Sequence, residues 1–288
     1  MLHSLEILLY PNPVSLVVAF IYGSLFGSFL NVVILRLPLE RSIVHPGSAC
    51  GLCGVPLKWW QNLPVLSYLL LRGRCHVCGA PFSPRYALVE ALTGGALAFL
   101  LWHYGQFGWP LVYNFVFFCL LTVVFFMDLD HWIILDQVTY PGMIVGLLGA
   151  LGMPARFDLP GLEGLNPVLA NGLSSLAGMI LGGAFFWAIQ VVGTLLARQE
   201  AMGGGDVKLA VVIGAFLGWR AAFLAFLLSF FLGALVALPM YVLGGRKGKD
   251  PVPFGTFMAL AAFPCALWGE SLLGLLLGWP LLLDPFGP

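Results

Sequence analysis

The chain has 288 residues, 60% of them hydrophobic and only 9% charged, with a mean hydropathy of +0.96. Such a composition leaves too little polar surface to coat a soluble globule, which excludes a water-soluble class and marks an integral membrane protein. The formal net charge of +0 says little about partners, because in a membrane protein the placement of charge matters and its sum does not. The lipid bilayer is one partner; nucleic acid is not expected.

A bilayer-spanning helix takes roughly 20 mainly apolar residues. Windows of that kind fall at about 14–35, 86–105, 110–127, 139–154, 169–197, 207–219, 221–244 and 256–282. The expected fold is therefore an all-α polytopic membrane protein of about eight transmembrane helices, with a small domain between the first and second. Only Trp219-Arg220-Ala221 separates the 207–219 window from the next, so seven spans with one long broken helix is the alternative. Three parts follow: an outer segment and first helix over 1–36, a small extramembrane domain over 37–85, and the remaining helices over 86–288. No repeat of fixed period is evident.

Orientation follows from the thirteen Lys and Arg. With the N-terminus outside, the inner segments hold Arg36, Arg41, Lys58, Arg72, Arg74, Arg85, Arg198, Lys208, Arg246, Lys247 and Lys249, leaving Arg156 and Arg220 outside. This bias predicts N-out and C-out, with the small domain in the cytoplasm. The opening residues "MLHSLEILLYPNP" carry no Lys or Arg, and no small-residue cleavage pattern follows, so the first span is not expected to be a cleaved signal peptide.

The small domain contains Cys50-Gly-Leu-Cys53 and Cys75-His-Val-Cys78. Each pair has zinc-knuckle spacing, and two knuckles complete a tetrahedral site whose four thiolates leave no position for a catalytic water. Structural Zn2+ on Cys50, Cys53, Cys75 and Cys78 is therefore expected. Disulfides are disfavoured in a reducing cytoplasm, and no βαβ pattern suggests a redox CxxC. His45 and His76 are the alternative ligands. The stretch "VPLKWWQNLPVLSYLLL" between the pairs is read either as the core of this domain or as an element lying on the membrane surface. Cys119 and Cys265, alone in spans, read as packing residues.

Five acids gather at the cytoplasmic ends of the third, fifth and sixth spans: Asp128, Asp130, Asp136, Glu200 and Asp206. Carboxylates at membrane depth are expensive and mark function by default. Asp128 and Asp206 come from different helices at similar depth, an arrangement suited to an aspartic protease in which one carboxylate accepts a proton from water and the other polarises the scissile carbonyl. The glycines Gly203, Gly204 and Gly205 permit a sharp turn with positive φ and a close backbone approach to the carboxylate. Asp206 reads equally well as a helix N-cap. Asp130 points to another side of the helix, Asp136 reads as a cap or turn residue, Lys208 as a cation snorkelling to the headgroups, and His131 as an interfacial anchor or a proton shuttle.

These residues stand in segments that resemble one family from the first span to the last loop: "GSLFGSFLNVVILRLP", the paired CxxC, "NLPVLSYLLLRGRC", "PRYALVEALTG", "MDLDHWIILDQVTYP", "GGGDVKLAVVIGAFLGW" and "PVPFGTFMALAA". The chain resembles the type IV prepilin peptidases, the bifunctional leader peptidase/N-methyltransferases of type IV pilus and type II secretion systems. The resemblance implies a GxGD-type intramembrane aspartic protease over 86–288 with Asp128 and Asp206 as the catalytic pair. It implies prepilin or pseudopilin substrates, cleaved after a glycine at the cytoplasmic face of the inner membrane. It also implies methylation of the new N-terminus with S-adenosylmethionine. Where the family reads Pro-Asp after the D-x-D element, this chain has Leu135-Asp136, and Gly204 stands at a position the family varies. No G-x-G-x-x-G follows a strand, so methyl transfer rests on the resemblance. Within the resemblance, the cytoplasmic domain and the start of the second span are the places to look for the donor, with Glu90 as a contact or, alternatively, a first-turn acid favoured by the helix dipole. Asn31 reads as interhelical glue.

A transporter using the membrane acids for ion coupling is the rival reading, but it calls for inverted repeats and acids near the midplane. A non-catalytic assembly factor of the secretion machinery is the third.

Overall fold

The computed structural model describes residues 10–154, 165–198, 202–244 and 253–277. Glu200, Arg156, Arg246, Lys247 and Lys249 lie outside the described residues. The chain separates into two compact units, Met1–Val123 and Val124–Pro288.

The first unit begins with α1, Pro13–Arg36. The Asn12 side chain accepts from the amides of Val14 and Ser15, both at 3.0 Å, while Ser15 Oγ accepts from Asn12 N–H at 2.8 Å. With Pro13 at the first helical position, this capping box fixes where the helix starts. The cysteine module follows, containing a short α2 over Leu66–Leu70, and then α3, Pro84–Tyr104, capped by Ser83 and closed by left-handed Gly105. Helices α1 and α3 pack through small residues. A Cβ on Gly27 would stand 2.7 Å from Glu90 Cα, so only glycine allows this approach. Asn31, buried in α1, donates to the Tyr86 carbonyl at 3.0 Å and acts as the expected glue. Helix α4, Trp109–His131, carries the chain into the second unit.

The second unit contains the end of α4, then α5 (Asp136–Ala150), α6 (Pro167–Ala197), α7 (Gly204–Gly244) and α8 (Phe254–Leu277). Among the described residues there is no strand, only two isolated bridges in the cysteine module. Five helical stretches are long and apolar enough to cross a membrane: Pro13–Leu39, Pro84–Tyr104, Trp109–His131, Pro167–Leu196 and Gly204–Pro239. The eight windows differ from these in three places: the last, 256–282, runs past the described residues, which hold a shorter apolar stretch, Phe254–Gly269, and two local features account for the rest. Helix α5 has 15 residues, about 22 Å at ~1.5 Å per residue, against a hydrocarbon core of about 30 Å. The windows 207–219 and 221–244 merge into α7, broken at Gly218, whose φ of 71° and ψ of 177° are not helical. Trp219-Arg220-Ala221 thus stands where two helices meet at a kink, as the two separate windows anticipate. It lies within α7, with Arg220 buried. Helices α6 and α7 meet along Gly178, Gly182 and Gly214, and Ser175 Oγ donates across the seam to the Ala215 carbonyl at 2.6 Å.

Candidate active site and metal centre

In the second unit, Asp128 sits on the last turn of α4. Trp132 N–H closes that turn onto the Asp128 carbonyl at 2.9 Å, and Trp132 itself takes a left-handed φ of 57°, which turns the chain towards α5. The Asp128 side chain is buried. Its Oδ2 accepts from the Thr256 backbone N–H at 2.8 Å and from the Thr256 hydroxyl at 3.0 Å. Thr256 belongs to the first turn of α8, where backbone N–H groups have no acceptor within the helix. Asp128 thus caps another helix from outside.

Asp206 is half-buried in the first turn of α7, with its N–H bonded to the Gly203 carbonyl at 3.1 Å. It is therefore a first-turn acid, not the N-cap. Its carboxylate lies beside the backbone amides of Gly203 and Gly255 and within electrostatic reach of Asp128. Gly255 links the pair, because a Cβ there would stand 3.1 Å from Asp128 Oδ2. Two helix N-termini, each with a positive dipole end, thus converge on two carboxylates from separate helices.

The glycines divide in role. Gly205 packs on Ile134, where a Cβ would meet the Ile134 Cβ at 2.9 Å, whereas Gly203 and Gly204 are exposed with ordinary room for a side chain. None of the three has the positive φ expected for a sharp turn, because Gly204 and Gly205 already belong to the right-handed first turn of α7. Gln190 Nε2 of α6 holds the preceding segment by donating to the Met202 carbonyl at 3.1 Å.

Of the other acids of this group, the two described ones, Asp130 and Asp136, lie at the surface. Asp130 and His131 are exposed. Asp136 is the first residue of α5, whose N-cap is Leu135, and it pairs with Lys208 Nζ, which also lies 5.3 Å from the Tyr140 ring centre. Lys208 therefore bridges α7 to α5 instead of reaching away alone. Thr256, Gly255 and Ile134 were not singled out from sequence. The only signal for Gly255 and Thr256 was the "PVPFGTF" segment, as a proline-flanked start to an apolar run, and for Ile134 its place in "MDLDHWIILDQVTYP".

In the first unit, the four cysteines gather. Cys50 Sγ lies 3.8 Å from Cys78 Sγ and Cys53 Sγ 4.0 Å from Cys75 Sγ, with all four within 4.8 Å of one another. Zn–S bonds of about 2.3 Å in a tetrahedron set S···S edges of about 3.8 Å, so the cage fits such an ion. The two halves repeat one turn, C-x-x-C-G-x-P, in Cys50–Pro56 and Cys75–Pro81. Gly54 and Gly79 take φ of 71° and 70°, and Cys50 and Cys75 accept from the amides of these glycines at 2.9 and 3.0 Å. The amides of Cys53 and Leu52 pull the Cys50 thiol down to about 6, and those of Cys78 and Val77 likewise lower Cys75. The Ala80 amide lowers Cys78, but desolvation and the neighbouring sulfurs outweigh it and raise Cys78 to about 11. His45 and His76 are not in the cluster. The apolar stretch between the knuckles does not form a core: Trp59 is 80% exposed and Leu66, Leu69 and Leu70 are also on the surface. This favours the membrane-surface alternative, since a module this small has little interior to offer.

Two family models match the chain, the bacterial peptidase A24 N-terminal domain over residues 21–104 and the type IV leader peptidase family over residues 115–238. The chain is 42% identical over 243 residues to a prepilin leader peptidase/N-methyltransferase of Myxococcus xanthus, covering 83% of this chain and 67% of that one. It is 35% identical to the protein of the same name from Aeromonas hydrophila, covering 88% and 90%, and 32% identical to that of Pseudomonas aeruginosa, covering 87% and 89%. No solved structure is significantly similar.

Proposed function

This chain belongs to the type IV leader peptidase family, and on that footing we propose that Asp128 and Asp206 are the catalytic pair of a membrane aspartic endopeptidase. The protein is an enzyme of two activities, prepilin leader cleavage and N-methylation, in a multi-pass inner-membrane chain. Family membership decides against the transporter and the non-catalytic assembly factor.

The observation that carries the assignment is the meeting of the two carboxylates around Gly255 beneath the first turns of α7 and α8. Carboxylates sharing one site share one proton, because like charges at short range do not both ionise. The ionised member takes a proton from water as it attacks, and the protonated member donates to the scissile carbonyl, so no separate nucleophile is required. Exposed Gly203 and Gly204 are where a substrate backbone can approach, while Gly205 spaces α7 from Ile134. Cleavage falls after a glycine of the prepilin or pseudopilin leader, and the amine it exposes is then methylated. S-adenosylmethionine, when bound, supplies the methyl group as an electrophile on sulfur. Cys50, Cys53, Cys75 and Cys78 hold a structural Zn2+.

Asp128→Asn and Asp206→Asn, each purified in detergent and assayed for prepilin cleavage, are expected to lose activity by at least about a thousandfold, the scale of general acid–base assistance. Cleavage at the wild-type rate by either variant overturns the pair. The concentration of Lys and Arg supports N-out, C-out and a cytoplasmic active site. Alkaline phosphatase inserted after Gly47, which is active only outside the inner membrane, should then be silent; an active fusion reverses the topology.

A further inference from the structure

The first unit contains a cavity of about 450 Å3 between α1, α3 and the cysteine module, within the ~300–1,000 Å3 range of sites that enclose a small ligand. We propose that this cavity binds S-adenosylmethionine, with its sulfonium beside Glu90 and its carboxylate towards Arg36 and Arg41. The proposal rests on the N-methyltransferase reading above, and to Glu90, which the resemblance suggested, it adds the cavity itself and the roles of Arg36, Arg41 and Gln61.

Three observations carry it. First, the cavity wall is electrically asymmetric. Glu90 is only 8% exposed, and neutral groups meet its carboxylate, the Val65 N–H at 2.8 Å and the Ser28 side chain. Arg36 and Arg41 line the same cavity and bring positive charge. The Arg36 guanidinium is oriented by the carbonyls of Ser42, Pro46 and Gly47. A ligand with a cation at one end and a carboxylate at the other complements that wall.

Second, Gln61 lines the cavity, is 4% exposed, and its Nε2 has no acceptor among the described residues, although its Oε1 accepts from Lys58 N–H at 2.9 Å. A buried amide donor left without an acceptor is unfavourable, and a purine ring nitrogen would satisfy it. Third, Tyr68, Tyr86 and Phe82 contribute aromatic surface to the lining, on which a base can stack. Glu90 also ties α3 to the cysteine module through Val65, so the metal-held module forms one wall of the site.

The test is calorimetric binding to the full-length protein in detergent, with S-adenosylmethionine and S-adenosylhomocysteine as probes. Wild type is expected to prefer S-adenosylmethionine, whose sulfur is cationic. Ala87→Leu fills the cavity and should weaken both ligands at least tenfold, with an unchanged melting temperature in their absence. Glu90→Gln keeps an acceptor for Val65 N–H but removes the charge, and should bring the two affinities within about twofold of each other. Wild-type affinities in Ala87→Leu, or an undiminished preference in Glu90→Gln, overturn the proposal. If the cavity variants bind and methylate like wild type, only the site is wrong. If the wild type neither binds the donor nor methylates a cleaved prepilin, the N-methyltransferase reading fails with it.

Discussion

Thr256 places two donors, its backbone N–H at 2.8 Å and its hydroxyl at 3.0 Å, on one oxygen of Asp128. The amide is fixed by the first turn of α8, whereas the hydroxyl is a replaceable addition. A hydrogen bond to a charged group contributes about 1.5–3 kcal/mol, and each ~1.4 kcal/mol is tenfold in rate. Thr256→Val is therefore expected to lower kcat for leader cleavage by roughly ten- to a hundredfold without abolishing it, and Thr256→Ser to restore most of the loss. Equal activity in Thr256→Val and wild type would mean that the hydroxyl does not position Asp128.

The glycines around the pair make a graded prediction. An alanine Cβ at Gly203 would lie 3.6 Å from Asp206 Oδ2, an ordinary contact, while at Gly205 it would press on the Cβ of Ile134 at 2.9 Å, close to the backbone and unable to swing away. Overpacking of that kind costs about 1–3 kcal/mol. If that cost falls on the active geometry, Gly205→Ala should lose roughly five- to a hundredfold in cleavage, and Gly203→Ala little. At Gly255 the obstruction is Ile134 Cδ1 at 2.7 Å, the far end of a flexible chain. Ile134→Ala should accordingly rescue Gly255→Ala in part, and it should leave Gly205→Ala unrescued, because alanine retains the Cβ. Kinetics of the three glycine variants and of the two doubles with Ile134→Ala against one prepilin check the order.

How far the sequence could be read depended on whether a residue's signal was local. Asn12-Pro13 and Ser83-Pro84 announce helix starts by themselves, through a cap and a fixed φ. Asp128 and Asp206 stand out because carboxylates are rare against apolar runs, and the paired CxxC because thiolate spacing encodes a turn. Thr256 carried no such signal, being a small polar residue in an apolar helix whose importance comes from an acid 128 positions away. Gly218 itself was silent, since glycine is frequent in membrane helices, although Trp219-Arg220-Ala221 beside it marked the gap between two windows; its φ of 71° locates the break. The surface exposure of Trp59 and Leu69 went unsettled for a related reason: an apolar stretch has the same composition whether it is buried in protein or laid against lipid.

The Lys208–Asp136 pair joins α7 to α5 near the site, but both side chains are partly in solvent, 34% and 53% exposed. Exposed pairs contribute about 0.2–1 kcal/mol. Asp136→Asn and Lys208→Gln should therefore lower the melting temperature by no more than a few degrees and leave cleavage within about threefold of wild type. A hundredfold loss in either would assign the pair to the chemistry, where the geometry does not put it.

The cysteine cage predicts a specific proton balance on metal uptake. Thiolates bind the ion, so thiols must release their protons. In the metal-free protein the amides of Cys53 and Leu52 bring Cys50 to about 6, so at pH 7.5 it is already mostly thiolate and contributes little. Cys78 is raised to about 11 by desolvation and its sulfur neighbours against the pull of the Ala80 amide, so it remains a thiol and must give up its proton. Adding Zn2+ to chelator-stripped protein in weak buffer at pH 7.5 should bind one ion per chain and release at least one proton but fewer than the four that four thiols would yield. The sign for pH follows. Raising the pH removes the Cys78 proton before binding, so affinity strengthens with pH, and proton release falls. Acidification through about 6 protonates Cys50 as well, so the ion is lost as the pH drops. Cys50→Ser with Cys53→Ser should remove the metal altogether. One ion retained in that double variant, or an affinity independent of pH, would rule out the four-thiolate site.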